Sequence, residues 1–128
     1  MRRPKVFLVS SNYFSDDELR CQCGCGKLVF DPTVLQSLNA IREEYGKPMV
    51  VTSGYRCPDH PIEAAKDNVG EHTTGTCVDI ACYGFDAAIL TKLAMEHGAI
   101  RIGWNQKGKS RFVHLGWSKK YPRGTWTY

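Results

Sequence analysis

The chain has 128 residues, 42% of them hydrophobic and 23% charged, which suits one globular core, argues against disorder, and is too short for two ordinary domains of roughly 100 to 150 residues. Seventeen basic residues against 13 acidic ones leave a net charge of +4, compatible with an anionic polymer such as nucleic acid or an acidic cell wall, and equally with plain solvated surface. No stretch is long and apolar enough to span a membrane, and Val6-Phe7-Leu8-Val9 falls short of the roughly 7 to 15 apolar residues of a signal peptide, so a soluble product made in the cytoplasm is expected.

The basic residues gather at Arg2, Arg3 and Lys5, at Lys107, Lys109 and Arg111, and at Lys119, Lys120 and Arg123. Ser15-Asp16-Asp17-Glu18 has the pattern of a capping box, Ser15 as N-cap and Glu18 three residues on, and predicts a short helix. Asp31-Pro32 predicts a second, with Asp31 as cap and proline at the first position. Val34, Leu35, Leu38, Ile41 and Tyr45 follow at helical spacing, and Gly46 ends it. Met49-Val50-Val51-Thr52 reads as a buried strand. Residues 57 to 70, with Pro58, Pro61 and Gly70, read as a long loop holding at most one helical turn, and long structured loops are usually functional.

Cys77-Val78-Asp79-Ile80-Ala81-Cys82 alternates as a strand does, which puts Asp79 on the face opposite Val78 and Ile80. Asp86 is placed to cap a helix through Ala87, Leu90 and Ala94 that Gly98 stops. Residues 99–104 and 111–115 flank a polar, lysine-rich loop and predict a hairpin. The fold class is therefore α+β, a small, mainly antiparallel sheet with packed helices, in one domain spanning 1–128.

Without an export signal, reduced thiols are the default for Cys21, Cys23, Cys25, Cys57, Cys77 and Cys82. The set Cys21-x-Cys23-x-Cys25 invites a structural zinc reading, but it lacks the usual gap of two to four residues and needs a fourth ligand from elsewhere. Buried or half-buried free thiols are the other reading.

The residues with most chemistry are His72, Asp79 and His114, because two imidazoles and a carboxylate hold a catalytic zinc while leaving one position open. The gap from His72 to Asp79 is too long for one helical face, so a loop must deliver His72 and a strand Asp79, with Gly75 permitting the turn between them. Singly, each residue also has a plain reading, as a hydrogen-bonded histidine or a turn aspartate.

Val51-Thr52-Ser53-Gly54-Tyr55-Arg56-Cys57-Pro58, then His72-x-x-Gly75-x-Cys77-x-Asp79, then Phe112-Val113-His114 resemble the zinc D-Ala-D-Ala carboxypeptidase family of peptidoglycan peptidases, most of all its small single-domain phage-type branch. The similarity runs from about Phe14 to Trp117. It implies a hedgehog/DD-peptidase-like fold and Zn2+ held by His72, Asp79 and His114. It also implies that Arg56 grips a substrate carboxylate or the developing oxyanion, a task that suits a guanidinium better than lysine; a structural ion pair is the other reading of Arg56.

The resemblance further implies a metallopeptidase, a D-Ala-D-Ala carboxypeptidase or an endolysin-type endopeptidase, that cleaves peptidoglycan stems in cell wall degradation by a bacteriophage. Such a protein is made in the host cytoplasm and acts at the wall after release by another factor or as part of a virion. A monomer is expected, with no membrane insertion and no nucleic acid.

Family members tend to carry a base just before the last histidine and often an aspartate two residues after it, whereas this chain has Lys109 to Val113 and Gly116. Glu71 is the candidate general base, or a support for its neighbour His72, and Asp59, His60 and His97 are the remaining candidates. Tyr55 and Trp104, with Trp117, are candidate cleft residues, or plain core. The missing base leaves a second reading, a metal-stabilised module that binds wall peptide without cutting it. A small zinc protein binding nucleic acid is a third, which demands steeply salt-dependent binding.

Overall fold

A computed structural model describes residues 12–128; Arg2, Arg3, Lys5 and the run Val6 to Val9 lie outside them. Ser15 caps α1 (Asp16–Leu19) through the expected capping box, its side chain accepting from the Glu18 N–H and the Glu18 side chain accepting from the Ser15 N–H. Asp31 caps α2 (Pro32–Tyr45), and Gly46 closes it with a left-handed φ of 72°. The strand β1 (Val50–Ser53) follows. One helical turn, α3 (Pro61–Ala64), and a 3-10 turn at Glu71–Thr74 interrupt the long loop before β2 (Cys77–Ala81).

The next helix, α4 (Gly84–Glu96), begins earlier than its sequence suggests. Tyr83 is its N-cap and gives no side-chain cap bond. Asp86 therefore sits inside the first turn, where its carboxylate meets Lys47 Nζ at 2.6 Å and favours the positive end of the helix dipole. The hairpin forms as expected from β3 (Arg101–Asn105) and β4 (Phe112–Gly116), and a further strand, β5 (Gly124–Thr127), closes the chain.

These strands make one sheet in the order β1-β2-β4-β3-β5. Every neighbouring pair is antiparallel except β3 and β5. Because strand side chains alternate faces, the sheet divides its residues cleanly. Val78, Ile80, Ile102, Val113 and Leu115 point to one face and pack with Val34, Leu38 and Ile41 of α2 and Leu90 and Ala94 of α4 as the core. Asp79 and His114 point to the other. Among the described residues no helix is long and apolar enough to cross a membrane.

Gly75 is the hinge between the 3-10 turn and β2. Its φ of 70° suits glycine, and a Cβ there would run into the Val29 carbonyl oxygen and stand 3.0 Å from Phe30 Cα. Its own carbonyl accepts the Asp31 N–H at 2.8 Å, tying the turn to the start of α2. Gly75→Ala combines left-handed strain with overpacking and is expected to lower stability by about 2 to 5 kcal/mol. Guanidinium unfolding would measure it; a loss below about 1 kcal/mol would mean that the turn shifts freely.

Candidate metal centre

The centre starts as one row across the sheet. Ser53 pairs with Asp79, Asp79 with His114, His114 with Gly103, and Gly103 with Trp126. Facing residues on one side of a sheet stand roughly 4.5 to 5.5 Å apart at Cβ, so the row brings the carboxylate and the imidazole together with no further device. His114 Nδ1 lies 2.9 Å from Asp79 Oδ1. The missing side chain of Gly103 makes room for the Trp126 indole, which a Cβ there would approach to 2.5 Å. That indole lies against His114, ring centroids 5.2 Å apart.

His72 arrives from the 3-10 turn. Its Nε2 is 3.3 Å from Asp79 Oδ2, and its Nδ1 is 2.7 Å from the Gly54 carbonyl oxygen. A carbonyl can only accept, so Nδ1 carries a proton and Nε2 is the nitrogen turned toward Asp79. The Arg56 N–H returns a bond to the His72 carbonyl at 3.0 Å, locking the two loops together. His72 and His114 meet edge to face at 5.1 Å.

On the outer side, His114 Nε2 is 2.8 Å from Glu71 Oε1. Glu71 is fully engaged, for Arg101 Nε donates to Oε1 at 2.8 Å and the Ser118 N–H donates to Oε2 at 3.1 Å. Its carboxylate lies where a side chain at position 116 would be, since a Cβ on Gly116 would collide with it. Burial alone would raise both acids, but hydrogen bonds from His114 and Arg101 hold Glu71 below the usual carboxylate range, and those from His114 and His72 hold Asp79 well below it. Burial works against a charged His114, yet its bonds to Asp79 and Glu71 prevail and raise it.

The donor chemistry fits a divalent cation. His72 Nε2 and His114 Nδ1 converge on the two oxygens of Asp79, while each imidazole's other nitrogen is fixed by a carbonyl or a carboxylate, the outer support typical of metal-bound histidine. Electron-rich atoms crowded in this way require a positive charge among them, from protons or a metal. Cys77, on the same face, brings its sulfur within 4.8 Å of imidazole nitrogens of both histidines. Burial and the nearby carboxylates push that thiol well above its ordinary range, which leaves it a packed neutral group.

A pocket of about 490 Å³ opens over the centre. Arg56, Lys66 and Arg101 supply its cations, and Phe112, Trp126 and Tyr128 its aromatic wall. Arg56 is held by three neighbours, with Nε 3.0 Å from Ser53 Oγ, Nη1 3.0 Å from Glu63 Oε2 and Nη2 3.9 Å from Asp79 Oδ2. Both readings of this arginine are thus met at once, an ion pair to Glu63 and a guanidinium edge at the pocket.

Three expected cleft residues lie elsewhere. Tyr55 packs with Cys21 and Cys57. Trp104 is out of phase with Gly103, so it faces the core and donates to Thr91 Oγ1 at 3.0 Å. Trp117 donates to the His97 carbonyl at 3.0 Å. Trp126, on a strand that its sequence did not announce, and Tyr128 just beyond it take their place. Nor do Asp59, His60 and His97 reach the pocket. His60 caps α3, His97 is buried against Glu44 at 2.5 Å, and Asp59 is exposed in a turn.

A family model described as Peptidase M15 matches residues 12–116. That span contains His72, Asp79, His114, Arg56 and Glu71, and ends before Trp126 and Tyr128. No curated protein matches the sequence.

Glu63 anchors Arg56, its Oε2 3.0 Å from Nη1. Its side chain is fully buried. Burial opposes its charge, but the Gly70 N–H at 2.7 Å, Lys66 and Arg56 bring the carboxyl down from 4.5 to about 2. A carboxyl depressed in the folded state stabilises above its unfolded value and loses that contribution as pH falls through the folded one. Wild type is therefore expected to exceed Glu63→Gln by on the order of 3 kcal/mol at pH 7, with the gap closing between about pH 4.5 and pH 2. Urea midpoints of the two proteins across that range would show it; a gap independent of pH would refute it.

Proposed function

Since the chain belongs to the Peptidase M15 family, a family of metallopeptidases, we propose that it is a zinc enzyme that hydrolyses peptide bonds in bacterial peptidoglycan stems, by carboxypeptidase or endolysin-type endopeptidase action. The observation that carries this reading is the convergence of His72 Nε2, His114 Nδ1 and both Asp79 oxygens at the floor of a cation-lined pocket. His72, Asp79 and His114 would hold the zinc. When bound, such an ion polarises a scissile carbonyl and acidifies water.

Other residues supply orientation and charge. Arg56 presents its remaining N–H groups to a substrate carboxylate or to the oxygen that gains charge as the carbonyl is attacked. Glu71 is a positioning residue, because its Oε1 faces His114 Nε2 and so fixes which nitrogen of that ring looks inward. Family members often carry an aspartate two residues after the last histidine; here that position is Gly116, and the Glu71 carboxylate lies where its side chain would be. Arg101 and Lys66 extend the positive lining over which the stem's carboxylates would lie, and Trp126 with Tyr128 offers apolar contact for its alanine methyl groups. Phage lysis or host entry is the setting that this substrate suits.

One observation favours a second reading. Both acids lining the pocket, Glu71 and Asp79, are already engaged at both oxygens, which fits a metal-stabilised module that holds wall peptide without cutting it.

Digestion of purified peptidoglycan by zinc-loaded protein separates the two. The enzyme releases new amino groups, and His114→Ala abolishes that release; intact stems with retained binding would establish the module instead. Arg56→Ala is expected to lower kcat by roughly 10²- to 10³-fold with zinc still bound. Glu71→Gln is expected to weaken zinc binding by roughly 10- to 100-fold, measured by competition with a chromophoric chelator. Unchanged affinity would remove Glu71 from its positioning role.

A further inference from the structure

The long loop that carries Arg56 ends in a second cluster of metal-ligating groups. Cys57, the residue after Arg56, lies beside the Cys21, Cys23 and Cys25 loop, and one sulfur from each of the four falls within 4.8 Å of all the others. It is the fourth ligand that the Cys-x-Cys-x-Cys sequence lacked. Cys21 and Cys57 are buried at the floor of the cluster, whereas Cys23 and Cys25 are exposed above it.

We propose that Cys21, Cys23, Cys25 and Cys57 form a structural tetrathiolate zinc site, separate from the His72, Asp79 and His114 centre. Three features support it, and none depends on peptidase activity. The first is spacing. Four sulfurs bound at ~2.3 Å around a tetrahedral zinc stand about 3.8 Å apart, and Cys23 Sγ lies 3.5 Å from both Cys21 Sγ and Cys57 Sγ. The second is the backbone. Amide N–H groups are turned toward every sulfur: Cys57 N–H donates to Cys21 Sγ at 3.3 Å and Lys27 N–H to Cys25 Sγ at 3.3 Å. The N–H groups of Cys23, Cys25 and Asp59 face Cys21, Cys23 and Cys57. Amides aimed at sulfur disperse the charge of thiolates. The third is exposure, because Cys23 and Cys25 stand in solvent, where packing gives no reason for a cysteine.

Binding exchanges thiol protons for the metal, with the protons released to solvent and no electron transferred. Its structural effect reaches the first centre. Tyr55 N–H donates to the Leu19 carbonyl at 2.9 Å, and Gly54 packs so closely on Leu19 that a Cβ would meet its carbonyl oxygen at 2.8 Å. A metal at the cluster would clamp residues 54 to 57 at their far end. That same segment presents the Gly54 carbonyl to His72 and Arg56 to Asp79.

The test uses the full chain, purified under reductant and loaded with Co(II). Thiolate-to-cobalt charge transfer in the near ultraviolet reports sulfur ligation, and a Cys77→Ser background in every protein tested keeps the histidine and aspartate centre silent. The band is expected in that background alone, in Cys82→Ser, whose thiol is outside the cluster, and in His114→Ala, and is expected to vanish in Cys23→Ser/Cys25→Ser. These two positions are exposed, so that double variant keeps its core, and far-ultraviolet circular dichroism would verify its fold. Zinc analysis is expected to fall from two equivalents to one in either the His114 or the double cysteine variant. Absence of the band from the folded, reduced background protein, its survival in the double variant, or recovery of the four cysteines as disulfides by mass would overturn the site. Failure of the peptidase reading would instead remove wall hydrolysis and leave the band in place.

Discussion

Asp79 and His114 face each other across the β2 and β4 ladder, and both the core and the candidate centre depend on that register. The neighbours of these two residues, Val78, Ile80, Val113 and Leu115, are buried among the helices. A slip of one residue in either strand would turn its two apolar side chains to the pocket side and drive a carboxylate or an imidazole into the core. The apolar faces of α2 and α4 therefore hold Asp79 and His114 in place from the opposite side of the sheet. No separate scaffold is needed, because packing on one face sets the chemistry on the other.

The cost of this arrangement is electrostatic. Asp79, Glu71, His72 and His114 are all buried, and charged groups in such a setting need partners. Arg101 and the Ser118 amide answer Glu71, the two imidazoles answer Asp79, and Glu63 holds Arg56 beside them. A cation bound among these donors would join its own affinity to the stability of the fold. The two glycines on the site face serve the same end, for Gly103 gives its space to Trp126 and Gly116 gives its space to Glu71.

Much of this was legible in the sequence, for definite reasons. Alternation places Asp79 opposite Val78 and Ile80, Gly75 declares its turn, and the Ser15 and Asp31 caps are legible because capping is local chemistry. What stayed hidden depends on long-range neighbours. β5 is four residues long, without an apolar alternation, and is held by parallel pairing to β3, so Trp126 and Tyr128 could not be assigned to the pocket. For Trp104 the sequence leaves cleft and core both open, because its strand parity shows only once Gly103 is known to face His114. Asp86 looked like a cap, but α4 starts at Gly84 under backbone control alone. Glu63 and Arg101 gave no signal at all, since each matters only through a partner 7 or 30 residues away.

The segment from Gly54 to Cys57 shows how these separate constraints become one. Gly54 directs a carbonyl at His72 while its missing side chain lets the chain lie against Leu19. Tyr55 turns the other way, into the cysteine cluster, and Arg56 turns back to the pocket. Four consecutive residues thus contact the core, the cluster and the candidate centre in turn. Such a segment has little conformational freedom left, and that rigidity is what a guanidinium needs if it is to meet developing charge without first being reorganised. The Ser-Gly-Tyr-Arg-Cys sequence is therefore best understood as one mechanical element, in which glycine supplies approach, tyrosine and cysteine supply anchorage, and arginine alone is left to face the pocket.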